Sequence, residues 1–394
     1  MSWRKKVVGN TPKVELHSIT TLVAGTYKTG KTRLWKEVTE LHYDNPKEET
    51  LLLAWEPGFE TWELEENVLP IFEEGSDEDA YKQWEFFKKE VVPGLVQEAK
   101  EGKKVKLIGF DTVDRCIDAA TAWLLKDRAK KYGVRQIASL QELTEVSKGA
   151  ENGYTALYDE MKKPIDSLKA VKYGIMGLAW TKEKETTLYN GMKYNSVELM
   201  MHQTGRKIFE SQASLICCLF NEVVVTDKAG NEVSENIKTK TGKEKGHNFH
   251  ETRTVMVFRP TEYISIAGGR YTDLPEDPVE YSAENFLKVF EDAVKGQLKK
   301  TTKSFEELKV EQEAERNEQA KEVAVRIEES KEKQVSPDDL KSKIATAMQR
   351  FDYNQRKDLI GPKFLELLGD LDYRKSDNTT KLAEVLKFIE ELKA

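Results

Sequence analysis

The run Gly25-Thr26-Tyr27-Lys28-Thr29-Gly30-Lys31-Thr32 has the spacing G-x-x-x-x-G-K-T. Each residue type in it meets a need of a bound triphosphate. The glycines let the backbone turn tightly, so that the N–H groups of residues 26 to 32 can converge on phosphate oxygens. Lys31 supplies an ammonium able to bridge the terminal phosphates of ATP, and the Thr32 hydroxyl suits a magnesium ion. Tyr27, Lys28, Thr29 and Arg33 complete the lining. Many loops of this spacing carry a third glycine where this one has Lys28, which makes Lys28 either a second phosphate contact or a solvent-facing side chain.

Two acids further along the chain have complementary chemistry. Asp111 ends the apolar run of "IGFDTVD" and is placed to bind magnesium through water; Glu56, in "AWEPGFE", is placed to orient and deprotonate an attacking water. The plain alternative for both is a helix N-cap just past a strand end. Thr181 and Lys182, in "AWTKEKE", are polar groups able to sense the terminal phosphate.

These groups act together only if the chain brings them to one rim. Leu22-Val23-Ala24 before the glycine loop reads as a buried strand, and Leu34, Val38 and Leu41 after it recur at helical spacing, so the loop delivers its last residues to a helix N-terminus. "TLLLAWEPG", "VKLIGFDTVD", "YGIMGLAWT" and "SLICCLF" read as further buried strands separated by helical patterns. Alternation of this kind predicts an α/β fold with a central, mostly parallel sheet covered by helices. Ligands of such sheets sit at the carboxyl ends of the strands.

Composition bounds the partners. One third of the 394 residues are charged and the formal net charge is -7, so nucleic-acid binding requires a local basic face. No apolar run approaches the roughly 20 residues that span a bilayer, and the first residues lack the apolar stretch of a signal peptide, so a cytoplasmic protein without a membrane partner is expected. Cys116, Cys217 and Cys218 have no metal-ligand spacing and fit buried thiols in a reducing compartment.

Taken together, the phosphate loop, the glutamate closing the next strand, "FDTVD" and a polar sensor at another strand end resemble the RecA-type ATPase core. The likeness is closer to phage-encoded RecA-like P-loop ATPases, among them the Sak-type single-strand annealing proteins. "GYTALYDEM" (Gly153 to Met161), "TGRKIFESQASLICCLF" (Thr204 to Phe220) and "AGGRYTDLPEDPVEYSAENF" (Ala267 to Phe286) extend it, so that it covers roughly Thr20 to Val294. The resemblance implies a RecA-like P-loop NTPase core over residues 1–295 that binds and hydrolyses ATP with Mg2+, in the host cytoplasm if phage-encoded. Lys31, Thr32, Glu56 and Asp111 would take the family's roles, and Arg270 would complete a neighbouring subunit's site in a ring or filament. The sequence departs from the pattern at Trp180-Thr181, where RecA has an Asn-Gln pair, and in an insert at about 221–259, which reads as a hairpin.

RecA-type ATPases generally place DNA-binding loops after the sensor strand. Here that segment interleaves Lys182, Lys184, Lys193, Arg206 and Lys207 with Tyr189 and Tyr194, which could follow a single-stranded DNA backbone and stack its bases; the alternative is an ordinary hairpin turning at "YNGMKY". A second basic stretch, "IKTKTGKEKGHNFH", reads as a mobile insert rather than a DNA-contacting arm. His247 and His250 within it have no third ligand nearby, so no metal centre is expected there.

Past Val294 the composition changes. Residues 296–335 form a charged helical linker, read as an exposed helix or disordered segment because its apolar residues sustain no heptad. "SPDD" then supplies an N-cap at Ser336 with Pro337 behind it. It opens a small all-α domain, 336–394, whose stripes are Leu340/Ile344/Met348, Phe364/Leu367/Leu368/Leu371 and Leu382/Val385/Leu386/Ile389. This domain has no chemistry of its own and is expected to serve a protein partner or oligomerisation.

Two other functions share the phosphate loop. A small-molecule phosphotransferase would add an arginine-rich lid, for which the sequence offers no cluster. A non-hydrolysing switch would keep ATP binding as a conformational signal and use the C-terminal helices for assembly.

Overall fold

A computed structural model describes residues 9–64, 66–102, 104–226, 237–238, 244–245, 249–299, 301–334 and 337–392. His247, Ser336 and most of the second basic stretch lie outside the described residues.

The strands in chain order are β1 (Thr20–Gly25), β2 (Thr50–Ala54), β3 (Val68–Pro70), β4 (Leu107–Asp111), β5 (Gly174–Thr187), β6 (Lys193–Leu199), β7 (Leu215–Thr226), β8 (Ile237–Lys238), β9 (Glu244–Lys245), β10 (Phe249–Val257), β11 (Gly268–Gly269) and β12 (Val279–Glu280). The main sheet runs β12-β10-β7-β1-β5-β4-β2-β3, with β6 paired to β5 and β11 to β7. From β7 to β3 every pair is parallel, whereas β6, β10, β11 and β12 add antiparallel pairings. The mostly parallel α/β sheet expected from the alternating pattern is therefore the architecture.

The four apolar runs become β2, β4, β5 and β7, and each is buried where it crosses the sheet because helices cover both faces. Two of them continue beyond the apolar run. β5 is buried from Gly174 to Thr181 and then leaves the sheet layer, its last six residues pairing with β6. β7 continues to Thr226, and its far part pairs antiparallel with β10 from Phe249↔Thr226 to Val257↔Cys218. The helix that follows the glycine loop, α1 (Lys31–His42), buries Leu34, Trp35 and Val38. Leu41, expected on that stripe, is exposed, and Trp35 fills the face instead. Trp35 shares a core cluster with Leu52, Leu178, Leu215 and Leu219 of the strands and with Phe286 and Phe290 of the helix Ala283–Gln297. Each such buried side chain contributes about 1.5–3 kcal/mol relative to exposure.

The charged segment forms one helix, Phe305–Gln334, and its first half is not a free helix. Leu308, Gln312, Arg316 and Ala320 are buried at spacings of four, so one face of this half is covered. Gln312 binds the chain at both ends of its amide: Oε1 accepts from Val14 N at 3.1 Å and Nε2 donates to Pro12 O at 2.8 Å. Arg316 donates to the carbonyls of His17 at 3.4 Å and Lys172 at 3.3 Å, and pairs with Glu313 at 2.7 Å. A search for apolar heptads misses this face because its anchors are polar groups that bond backbone carbonyls.

The chain divides into two compact units, residues 1–321 and 322–394. The second has its own core of Leu340, Ile344, Phe351, Ile360, Phe364, Leu382, Val385, Leu386 and Ile389, with Met348, Leu367 and Leu368 at its margin. Leu371, expected on the middle stripe, is exposed, and Phe351 and Ile360 supply volume that the helical pattern did not assign. Among the described residues no helix is long and apolar enough to cross a membrane.

Arg316→Ala should destabilise the protein by about 3 kcal/mol in urea unfolding, because it removes a buried charge-assisted network. Glu318→Ala, on the exposed face of the same helix, should change stability by less than about 0.5 kcal/mol.

Candidate active site

Strand register places the phosphate loop. Gly25, the last residue of β1, lies opposite Trp180 of β5 and Leu219 of β7, so the loop opens at the carboxyl rim between two flanking strands. A Cβ on Gly25 would come within 2.5 Å of Thr29 Oγ1 and 3.0 Å of Leu219 O, which excludes any side chain. Thr29 is buried and donates its hydroxyl to Thr26 O at 2.9 Å, tying the loop to itself; Thr26, Tyr27 and Lys28 are exposed.

The loop turns twice through left-handed backbone, at Lys28 (φ 63°) and at Gly30 (φ 90°). Glycine takes this conformation freely, whereas a side-chain-bearing residue gives up about 1–2 kcal/mol. That accounts for the third glycine other such loops carry at the place of Lys28. At Gly30 a second element helps: the Tyr281 hydroxyl donates to its carbonyl at 2.9 Å, and the Arg33 guanidinium lies 5.5 Å from the Tyr281 ring centre.

Lys31 begins α1 and folds across the loop entrance. Its Nζ donates to Gly25 O at 3.0 Å and Thr26 O at 2.8 Å. Burial lowers its pKa, while Asp111, Glu56 and Asp114 oppose that shift. The first N–H groups of α1 have no partner within the helix and point out at the same rim.

The next residue meets an acid from another strand. The Thr32 hydroxyl donates to Asp111 Oδ2 at 2.6 Å, although 79 positions separate them. Asp111 is 1 % exposed, and its other oxygen, Oδ1, is buried without a hydrogen bond among the described residues. Burial raises its pKa, whereas the Thr32 hydrogen bond and Lys31 hold it down. Asp111 does not cap the helix Val113–Tyr132, whose N-cap position is Thr112. Gly58 crosses the pair so closely that a Cβ there would lie 3.4 Å from Thr32 Oγ1 and 3.6 Å from Asp111 Oδ2. An under-bonded carboxylate beside a hydroxyl, covered by a glycine that adds no side chain, is a donor set that suits a magnesium ion with waters and phosphate oxygens as its other ligands.

Glu56 arrives from the neighbouring strand. β2 pairs with β4 so that Ala54 lies opposite Asp111, and Trp55 N donates to Asp111 O at 2.6 Å, which sets Glu56 just beyond the rim. Burial, then Asp111, pushes its pKa up to about 7, against the pull of Lys31 and Arg115. A carboxylate titrating near neutrality is a stronger base than an ordinary one.

Four residues beyond those expected shape the rim. Asp114 Oδ2 accepts from Trp180 N at 2.8 Å, and burial pushes its pKa up to about 6. The Trp180 ring lies 4.8 Å from that of Tyr27 and 5.3 Å from the Arg115 guanidinium. Trp180 therefore presents its ring beside the loop; Thr181 is buried one residue further, opposite Leu199. With Tyr281, these are tertiary neighbours; in the sequence Asp114 closes "FDTVD", Trp180 marks the departure from the family pattern, and Tyr281 falls within "DPVEYSAENF".

The remaining expected residues lie away from the loop. Lys182, Lys184, Lys193, Tyr189 and Tyr194 belong to the β5–β6 hairpin, which turns at Gly191 (φ 84°). Its charges are largely matched: Lys184 and Arg206 both pair with Glu198 at 3.2 and 3.3 Å, and Lys193 pairs with Glu185 at 2.6 Å. Among the described residues Lys182 and Lys207 make no ion pair. A cleft of about 510 Å³ beside the hairpin is lined by Lys182, Lys184 and Arg206 but also by Asp114, Asp118 and Glu198, so it is not a basic groove. The hairpin tip is apolar and aromatic: Tyr189, Met192, Leu188 and Tyr194 are all exposed. Arg270 follows β11, which pairs with the first residues of β7, so it lies at the sheet edge opposite the phosphate loop of its own chain. It donates to Ser211 O at 3.2 Å.

A family model, AAA_24, described as an AAA domain, matches residues 17–261. No curated protein matches the chain.

Lys28→Gly should retain nucleotide affinity, whereas Lys28→Val should lose at least about tenfold, since a β-branched side chain resists φ > 0; equilibrium nucleotide titration measures both. Glu56→Gln tests the electrostatics. A carboxylate whose folded pKa of about 7 exceeds its unfolded value costs stability progressively as pH rises from 4.5 to 7 and fully above that. Glu56→Gln should therefore match the wild type near pH 4.5 and exceed it at pH 8, by at most about 1–2 kcal/mol after solvent screening, in urea unfolding at the two pH values.

Proposed function

The chain belongs to the AAA_24 family of AAA domains, a P-loop ATPase family, and on that premise we propose that it hydrolyses Mg-ATP to drive work on single-stranded DNA, as a RecA-like annealing ATPase of the phage Sak type would. The catalytic half rests on the Thr32–Asp111 contact beside Lys31 and Glu56. The backbone of residues 26 to 32 and the Lys31 ammonium hold the phosphates. Thr32 and Asp111 would hold the magnesium ion, which when bound neutralises charge on the terminal phosphate oxygens. Glu56 orients a water and takes its proton as the water oxygen bonds to the terminal phosphorus and the bond to the ADP oxygen breaks.

The DNA half is supported by the course of β5. The strand starts beside β1, passes Trp180, whose N–H bonds Asp114, and runs unbroken to a tip that exposes Tyr189 and Tyr194. A change at the rim has a stiff route to the tip. Because most hairpin cations are already paired, base stacking rather than phosphate contact would supply the affinity, with Lys182 and Lys207 as the free charges. Arg270, remote from its own chain's loop, would reach a phosphate only on a second copy in a ring or filament. The C-terminal helices would recruit a protein partner. The exposed Leu188 and Met192 favour a second reading, in which the tip packs on a neighbouring copy and ATP controls assembly.

Single-stranded oligonucleotide should accelerate hydrolysis, and Lys31→Ala and Glu56→Gln should each abolish turnover. Tyr189→Ala should weaken DNA binding by about 1–3 kcal/mol while leaving basal hydrolysis intact. If Lys182 and Lys207, unpaired among the described residues, supply the phosphate contacts, log K should fall with log[salt] at a slope of only about -1.4. ATP-dependent assembly with no DNA effect would favour the second reading, and rapid phosphate transfer to a nucleoside would sink both.

A further inference from the structure

At the end of α1 remote from the phosphate loop, three side chains of metal-binding type face one another. His42 is the last residue of α1, and its Nε2 lies 3.0 Å from Glu15 Oε2. His17, in the short turn Leu16–Ser18, is 4 % exposed and directs Nδ1 at the same oxygen from 4.0 Å. One ligand atom from each of the three lies within 4.8 Å of the others. Inward shifts of about 1 Å would set all three around one ion at bonds of about 2 Å.

The surroundings argue for a cation rather than a simple hydrogen-bonded triad. Both imidazoles turn to Oε2 of Glu15, while the nearby ammonium of Lys309 approaches the other oxygen, Oε1, at 3.9 Å. The far nitrogen of His17, Nε2, lies 3.1 Å from Glu313 Oε2, and Glu313 is itself held by Arg316 at 2.7 and 3.0 Å. A carboxylate on the remote nitrogen keeps the proton there, so the near nitrogen presents its lone pair; histidine metal ligands are commonly oriented in this way. The Tyr43 hydroxyl, 3.2 Å from His17 Nδ1, closes a fourth side, and the carbonyl end of α1 adds negative potential. Two imidazoles and one carboxylate make a donor set for zinc rather than for magnesium or calcium.

We infer that Glu15, His17 and His42 bind one Zn2+ in a structural site that pins the N-terminal segment to the end of α1. Through His17 and Glu313 the same site holds the helix Phe305–Gln334. The 12 residues of α1 separate it from the magnesium position by about 18 Å, so it takes no part in ATP chemistry.

The test strips the full chain with a chelator and titrates it with ZnCl2 and, separately, CoCl2. One zinc per chain is expected, with visible Co2+ ligand-field bands. His42→Gln should lower zinc affinity at least about 100-fold and abolish the bands, and Glu313→Gln should lower it about 10- to 100-fold. His42 is only half-buried, so circular dichroism and nucleotide binding should stay as in the wild type; if they do not, Glu15→Gln, which keeps the side-chain shape, carries the same comparison. His250→Ala, at an exposed histidine elsewhere, should leave zinc binding unchanged. Failure of the wild type to bind zinc stoichiometrically overturns the site, as does affinity that survives both His42→Gln and Glu15→Gln.

Discussion

The hydrogen bond from the Thr32 hydroxyl to Asp111 Oδ2 joins two parts of the chain that the sheet keeps apart: the first turn of α1 and the end of β4, with β5 between β1 and β4. A 2.6 Å contact across an intervening strand is possible only if the loop after β1 arches over that strand's end. The left-handed turns at Lys28 and Gly30, the bare Gly25 and the Lys31 ammonium folded onto the loop carbonyls all serve that arch. Because Asp111 is buried with one oxygen unpaired among the described residues, the same contact leaves an electrostatic demand of the kind a divalent cation can meet.

Glu56 and Asp111 show how one environment gives two carboxylates different electrostatics. They come from paired strands, and each is made harder to ionise by burial. Asp111 has the Thr32 hydroxyl to stabilise its charge, whereas Glu56 has the charge of Asp111 to oppose its own. One remains suited to holding a cation and the other to accepting a proton.

Strand β5 links the rim to a tip that carries Tyr189, a fully exposed aromatic residue, and it does so as continuous backbone. The hairpin's ion pairs stiffen it while cancelling its charge. A segment that looks like a basic DNA loop in one dimension thus becomes a neutral, aromatic-tipped arm in three, because diagonal neighbours across β5 and β6, Lys184 with Glu198 and Lys193 with Glu185, pair their charges.

By itself the amino-acid sequence determined the chemistry available and the elements that carry it. The G-x-x-x-x-G-K-T spacing, the apolar runs ending in Glu56 and Asp111, and the small second core around Leu340, Ile344 and Leu382 depend on local periodicity and residue type, which a linear reading contains. What tertiary structure alone decided depends on pairings between distant positions. These include β5 lying between β1 and β4, Trp180 rather than Thr181 facing the loop, Tyr281 holding Gly30, and Arg270 lying at the opposite edge. The docked face of the charged helix is the clearest case. Gln312 and Arg316 bury polar groups against backbone carbonyls, and a hydrogen bond to a carbonyl nearly 300 positions away leaves no mark in the hydrophobic pattern.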